Sequence, residues 1–210
     1  MFDAIAPRYD LVNRIMTLGL DTGWRRRAVK ELGLAAGSTV LDVACGTGDF
    51  CRELEKAGLR AVGLDYSAGM LARARTSAPL VRGNALSLPA GDGSFDGITS
   101  GFALRNVTDL QKTFEEMARV LRPGGRIALL EVSRPGNPLM RAGHYVYFNR
   151  IVPLIGGLLS DRAAYRYLPA SADYLPATEE LKAMLTTAGL QAPRDVQLFF
   201  GAAQILTATR

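Results

Sequence analysis

Between residues 38 and 132, short apolar runs alternate with stretches whose apolar positions recur at helical spacing. Residues 38–43 (STVLDV), 60–64 (RAVGL), 80–82, 95–100 and 126–132 (RIALLEV) have few polar breaks, the pattern of strands buried on both faces. Between them, residues 49–57 read as a helix stopped at Gly58. Ser67 caps a helix predicted to run to about residue 76, and Thr108 opens one predicted over 108–121, with Phe114, Met117, Val120 and Leu121 on one face. Pro123-Gly124-Gly125 then turns the chain. A last helix is predicted over 178–188, followed by strand-like runs at 195–200 and 203–209. Strand, helix, strand at this spacing predicts a doubly wound, mostly parallel α/β sheet of seven strands with helices on both faces. Two segments stand outside the alternation: a helical N-terminus, 1 to about 34, and an insertion at 135–176 rich in Tyr, Phe, Leu and Arg. Insertions after the carboxyl ends of strands commonly cover a ligand site, so both are expected to act as lids.

Composition narrows the class. The chain has 210 residues, 48% hydrophobic and 21% charged, enough apolar material for a full core in one domain. The longest uncharged apolar stretch, 151–159, is interrupted by Pro153, Gly156 and Gly157, well short of the roughly 20 residues a spanning helix needs. The opening MFDAIAPRYD lacks the basic and apolar regions of a signal peptide, so a cytoplasmic protein is expected. Two cysteines, Cys45 and Cys51, make neither a disulfide framework nor a four-ligand zinc site, and a single histidine, His144, excludes a histidine-based metal centre. The formal charge of +5 suits nucleic acid, an anionic membrane or an acidic ligand, and selects none.

The strongest chemical signal is Asp42-Val43-Ala44-Cys45-Gly46-Thr47-Gly48, between the first strand and the helix after it. Gly46 and Gly48 let the backbone turn tightly and approach a ligand. A dinucleotide fingerprint needs a third glycine at position 51, which is Cys51, so a nucleotide-dependent oxidoreductase is poorly supported. The acid four positions before Gly46 instead gives a D-x-x-x-G-x-G pattern, similar to motif I of class I S-adenosylmethionine methyltransferases. Asp65 ends the second strand, where a carboxylate can accept both ribose hydroxyls of a nucleoside. Gly83-Asn84-Ala85 turns after the third strand; Asp92 and Asp96 read as plain turn residues.

Further motifs are more specific. Phe102-Ala103-Leu104-Arg105-Asn106-Val107-Thr108-Asp109 follows strand four, and Arg119-Val120-Leu121-Arg122-Pro123-Gly124-Gly125-Arg126 leads into Leu130-Glu131-Val132-Ser133. The chain opens with Tyr9-Asp10-Leu11-Val12-Asn13, then Gly19, Leu20 and Trp24-Arg25, and the insertion ends in Tyr165-Arg166-Tyr167-Leu168 and Ser171. Over nearly its whole length the sequence resembles the ubiquinone/menaquinone biosynthesis C-methyltransferase family. It departs from that pattern at Gly101, where serine is usual, and at Cys45, where glycine is common.

The resemblance implies a Rossmann-like fold and transfer of a methyl group from S-adenosyl-L-methionine to a ring carbon of a prenylated quinol. Demethylmenaquinol is the expected acceptor; the methoxy benzoquinol of ubiquinone synthesis and another small molecule remain alternatives. The implied cofactor set is Asp42, Gly46, Thr47, Gly48, Asp65, Tyr66, Asn84, Ala85 and Ser100, with no metal. The candidates for catalysis are Arg105, to stabilise a phenolate; Asn106, to orient a hydroxyl or water; Tyr9, on the N-terminal lid; and His144, as a base. Glu131 reads as a structural partner of the loop arginines rather than a base. Tyr145, Phe148, Ile151, Leu154 and Leu158, flanked by Arg141, Arg150, Arg162 and Arg166, offer apolar surface for the prenyl tail. The same segment suits a peripheral contact with an anionic membrane or a homodimer, and the sequence does not choose. Nucleic acid is not an expected partner, because strand four is not followed by an Asx-Pro-Pro-aromatic motif and no Pro-Cys nucleophile pair is present.

Overall fold

The computed structural model describes residues 17, 19–133 and 174–210. Tyr9, His144, the Tyr165–Leu168 motif and nearly all of the insertion lie outside the described residues.

The strands are β1 (Thr39–Val43), β2 (Arg60–Asp65), β3 (Leu80–Arg82), β4 (Phe95–Gly101), β5 (Leu121–Val132), β6 (Gln191–Leu198) and β7 (Ala203–Thr209). They form one seven-stranded sheet in the order β3-β2-β1-β4-β5-β7-β6. β1 to β5 pair in parallel, while β7 runs antiparallel to β5 and β6. The described helices are α1 (Asp21–Leu32), α2 (Asp49–Lys56), α3 (Ala68–Leu71), α4 (Leu110–Val120) and α5 (Thr178–Thr187).

Strand alternation divides the core between the two sheet faces. Leu41, Val43, Ile98, Ile127 and Leu129 pack with Phe114 and Met117 of α4 and Leu181 and Leu185 of α5. Val40, Ala128 and Leu130 pack with Ala28 and Leu32 of α1 and Phe50, Cys51 and Leu54 of α2. Asp42, in step with Val40, belongs to the α1/α2 face.

Three local expectations are corrected. The helix after Ser67 ends at Leu71, short of residue 76. The chain is drawn back by tertiary bonds: Arg75 N–H donates to the Thr47 carbonyl at 3.0 Å, and the Thr76 and Ser77 hydroxyls donate to Glu55. Asp109, not Thr108, opens α4, its carboxylate accepting from Lys112 N–H at 2.9 Å. Asp96 lies within β4 and accepts from Thr39 N–H at 2.7 Å and from Arg122 at 2.5 Å, which ties the start of β1 to β4 and β5.

Candidate active site

From β1 the chain winds outward through β2 to β3; from β4 it winds the other way to β5. The strand order therefore reverses between β1 and β4, and a crevice opens at their carboxyl ends, where open α/β sheets hold ligands. The β1–α2 loop fills one side of it. Its backbone is left-handed at Ala44, Gly46 and Gly48, with φ of 57°, 56° and 83°. A Cβ on Gly48 would stand 2.9 Å from Thr76 Cγ2, so glycine there suits space as well as conformation; at Gly46 the nearest atom is the flexible Met70 Cε at 3.2 Å, and conformation is the stronger demand. Cys45 N–H donates to the Leu64 carbonyl and Gly48 N–H to that of Cys45, both at 2.9 Å.

Asp65 closes the loop onto β2. One carboxylate oxygen accepts from Gly46 N–H and the other from Ser67 N–H, each at 2.8 Å, and the side chain is half-buried beside the loop. Tyr66 next to it is 70% exposed. Gly83 N–H donates to the Asp65 carbonyl at 3.0 Å, which brings the Asn84–Ala85 turn to the same edge; Asn84 is exposed and its Oδ1 accepts from Leu86 N–H at 3.0 Å. Ser100, at the end of β4, is buried and donates to the Val43 carbonyl at 2.7 Å, fixing the two sides of the crevice to each other. Thr47 is buried in the loop, and its carbonyl accepts from Arg52 at 3.2 Å.

Asp42, expected among the cofactor residues, lies beneath the loop. It is 1% exposed, one oxygen accepting from the Thr99 hydroxyl at 3.0 Å and the other facing the Cys51 thiol at 3.7 Å. Burial pushes its pKa up to about 7, against the lowering effect of Thr99. The neighbouring Cys45 thiol and burial push the Cys51 thiol up, and both cysteines are unbridged.

On the β4–β5 side, Arg105 ion-pairs with Glu131, whose carboxylate is completely buried. Glu131 also accepts from Val132 N–H at 2.8 Å and from Arg105 N–H at 3.4 Å. The Arg105 guanidinium lies 5.8 Å from the Phe102 ring centroid. Asn106 donates from Nδ2 to the Phe102 carbonyl at 3.3 Å. Arg105 and Asn106 are thus brought together at the mouth of the crevice, with Glu131 as the partner expected for a loop arginine.

Sequence reasoning missed Arg25. Within the run Arg25-Arg26-Arg27 it reads as surface charge, yet it is buried, pairs with Asp21 at 2.5 Å and Asp49 at 3.5 Å, and lies 5.8 Å from the Phe50 ring and 5.6 Å from that of Phe102. The signal was its helical spacing: Asp21, Arg25, Ala28 and Leu32 share one face of α1. Through it the N-terminal helix is locked to the helix that follows the glycine loop.

An open sheet of this order, a two-glycine loop at the switch point and a carboxylate ending the adjacent strand define the Rossmann-like methyltransferase class. The residues present suit S-adenosylmethionine in kind: a two-glycine loop with no phosphate to cradle, and in Asp65 a half-buried carboxylate of the type that accepts from ribose hydroxyls.

Comparison with known proteins agrees. A solved methyltransferase bound to the Trm112 activator from Haloferax volcanii superposes with a TM-score of 0.72 at 19% identity, over 100% of this chain and 97% of that one. A Thermotoga maritima S-adenosylmethionine-dependent methyltransferase gives 0.70 at 21% identity, over 99% and 97%. In sequence, a demethylmenaquinone methyltransferase from Roseiflexus castenholzii is 50% identical over 90% of this chain and 83% of its own length. One from Thermus thermophilus is 43% identical over 98% and 97%, and a Geobacter sulfurreducens ubiquinone/menaquinone biosynthesis C-methyltransferase 40% identical over 99% and 86%. The model of the ubiE/COQ5 methyltransferase family matches residues 1–210, and the chain belongs to that family. It is an S-adenosylmethionine-dependent C-methyltransferase of quinone biosynthesis.

Proposed function

We propose that this enzyme methylates a ring carbon of demethylmenaquinol to give menaquinol. The observation that carries the reading is the 43–50% identity, over nine-tenths or more of the chain, to relatives named for that acceptor. Bound S-adenosylmethionine supplies a methyl group already activated by its positive sulfur.

The protein's own residues then have three tasks. The Gly46–Gly48 loop holds the methionine part of the cofactor and Asp65 its ribose, against the β4 end. Arg105 holds positive charge beside the Phe102 ring, where it favours ionisation of a quinol hydroxyl and so enriches the ring carbon. Its pairing with buried Glu131 keeps the guanidinium in place without a search over rotamers. Asn106 orients the hydroxyl or a water that carries the ring proton away. Tyr9 and His144 belong to the proposal as lid and base, respectively.

The benzoquinol acceptor is a second reading, favoured by the Geobacter relative named for both pathways. Among the described residues no helix is long and apolar enough to cross a membrane. The basic, aromatic insertion is the proposed contact for a tail embedded in a bilayer, with a homodimer through the same segment as the competing use. Initial rates on demethylmenaquinol and on the methoxy benzoquinol, both kept reduced, test the assignment. A kcat/KM for the naphthoquinol at least tenfold higher is expected; equal values assign both acceptors, and no turnover on either removes the quinol reading.

A further inference from the structure

The β6–β7 hairpin turns through Phe199 and Phe200, both left-handed with φ of 44° and 56°. That backbone suits glycine or asparagine, and bulky side chains rarely occupy it. Both rings are also exposed, Phe199 by 50% and Phe200 by 74%. Neither turn geometry nor core packing accounts for two aromatic residues here.

The rings are not isolated. Phe200 lies 5.8 Å from Phe199, Phe199 6.4 Å from Trp24 of α1, and Trp24 6.4 Å from Phe102, centroid to centroid. Phe102 is the buried residue that carries the Arg25 and Arg105 guanidinium groups over its ring. Register places Phe102 and the Phe199–Phe200 turn at the same end of the sheet. Phe102 N–H donates to the Leu130 carbonyl near the end of β5; Val132 pairs with Ala203, and Ala203 with Leu198, the residue before the hairpin. The ladder therefore starts at the crevice mouth beside β4 and crosses two to three strand widths to the hairpin, roughly 10–15 Å. Its inner end holds ion-paired guanidinium groups and its outer end is apolar, which suits an amphiphile with a polar ring head and a long hydrocarbon tail.

We infer that Trp24, Phe199 and Phe200 form the track along which the acceptor's isoprenoid tail leaves the site. The inference rests on the quinol reading above and adds where the tail runs. Continuity with Phe102 favours a substrate tail over bilayer lipid as the occupant, because a membrane contact needs no connection to the crevice. Aromatic faces suit a branched polyene chain, which offers apolar surface and no hydrogen bonds.

The test is the double variant Phe199→Asn/Phe200→Asn. Asparagine tolerates left-handed backbone, so the variant keeps the turn, and its melting temperature checks this. Rates are measured in one detergent on demethylmenaquinol with a long isoprenoid tail and on its single-isoprene analogue, both reduced. The ratio of kcat/KM, long over short, is expected to fall about tenfold, the effect of losing about 1.4 kcal/mol of tail contact. An unchanged ratio overturns the inference while leaving the quinol reading in place. So does an unchanged ratio accompanied by lost binding to substrate-free anionic vesicles, which assigns the rings to the bilayer instead. Failure of the wild-type enzyme to methylate either compound overturns the demethylmenaquinol reading on which the track rests, and the track with it.

Discussion

Replacing Asp42 with asparagine removes a carboxyl that the folded chain keeps out of water. Burial raises its pKa from 3.8 to about 7. Between those two values the folded chain holds a proton that the unfolded chain has released. Stability therefore falls as pH rises through this interval and levels off above about 7. At about 1.36 kcal/mol per pH unit the whole effect is worth about 4 kcal/mol. Asparagine has the same shape, accepts from the Thr99 hydroxyl and cannot ionise. Relative to wild type, Asp42→Asn should thus gain up to about 4 kcal/mol in unfolding free energy between pH 4 and pH 8. Glu53, Asp96, Glu116 and Asp195, all held below their ordinary range by cationic or hydrogen-bonding partners, lose stability as pH falls in both proteins, so they cancel in the difference. Urea unfolding at a series of pH values gives that difference directly. A difference constant from pH 4 to pH 8 would refute the reasoning and show that Asp42 stays ionised in the fold.

Other consequences can be measured with equal directness. Gly48→Ala places a Cβ against Thr76 and strains a φ of 83°, and should cost about 1–2 kcal/mol of stability and weaken cofactor binding in calorimetry. Asp65→Ala removes the acceptor for Gly46 N–H as well as the proposed ribose acceptor, and should raise the cofactor Kd about 100-fold, again by calorimetry. Arg105→Ala leaves the buried Glu131 carboxylate without its cation and should cost about 3–5 kcal/mol in denaturant unfolding; Arg105→Met combined with Glu131→Leu should restore most of that stability without restoring turnover. Cys51, whose thiol is buried and pushed up in pKa, should resist alkylation by iodoacetamide in the folded protein and react on unfolding, as read by mass.

Much of this arrangement was legible from residue pattern. All seven strands were, because runs such as VLDV and RIALLEV are apolar on both faces and end at glycine or polar turns. The glycine loop was legible because Gly46 and Gly48 answer a local demand of the backbone. What pattern could not supply were features decided across the fold. The helix after Ser67 is cut short by Arg75 reaching Thr47 and by Thr76 and Ser77 reaching Glu55, none of them near in sequence. Asp42 sits in a motif associated with the cofactor, yet strand alternation turns its carboxyl toward Cys51 and α2. Arg25 is hidden in a basic run and is recognised only when its neighbours on α1 are read as one buried face. Phe199 and Phe200 read as a strand end, because nothing in their identity announces left-handed backbone.

The central claim is that the methyl group goes to carbon on a quinol ring. Trideuteromethyl S-adenosylmethionine, supplied with reduced demethylmenaquinol and the purified chain, tests it in one mass spectrum. The account predicts three deuterium atoms in a methyl group on the ring carbon, retained after acid treatment. Deuterium in a methoxy group, or none in the quinol, would contradict it.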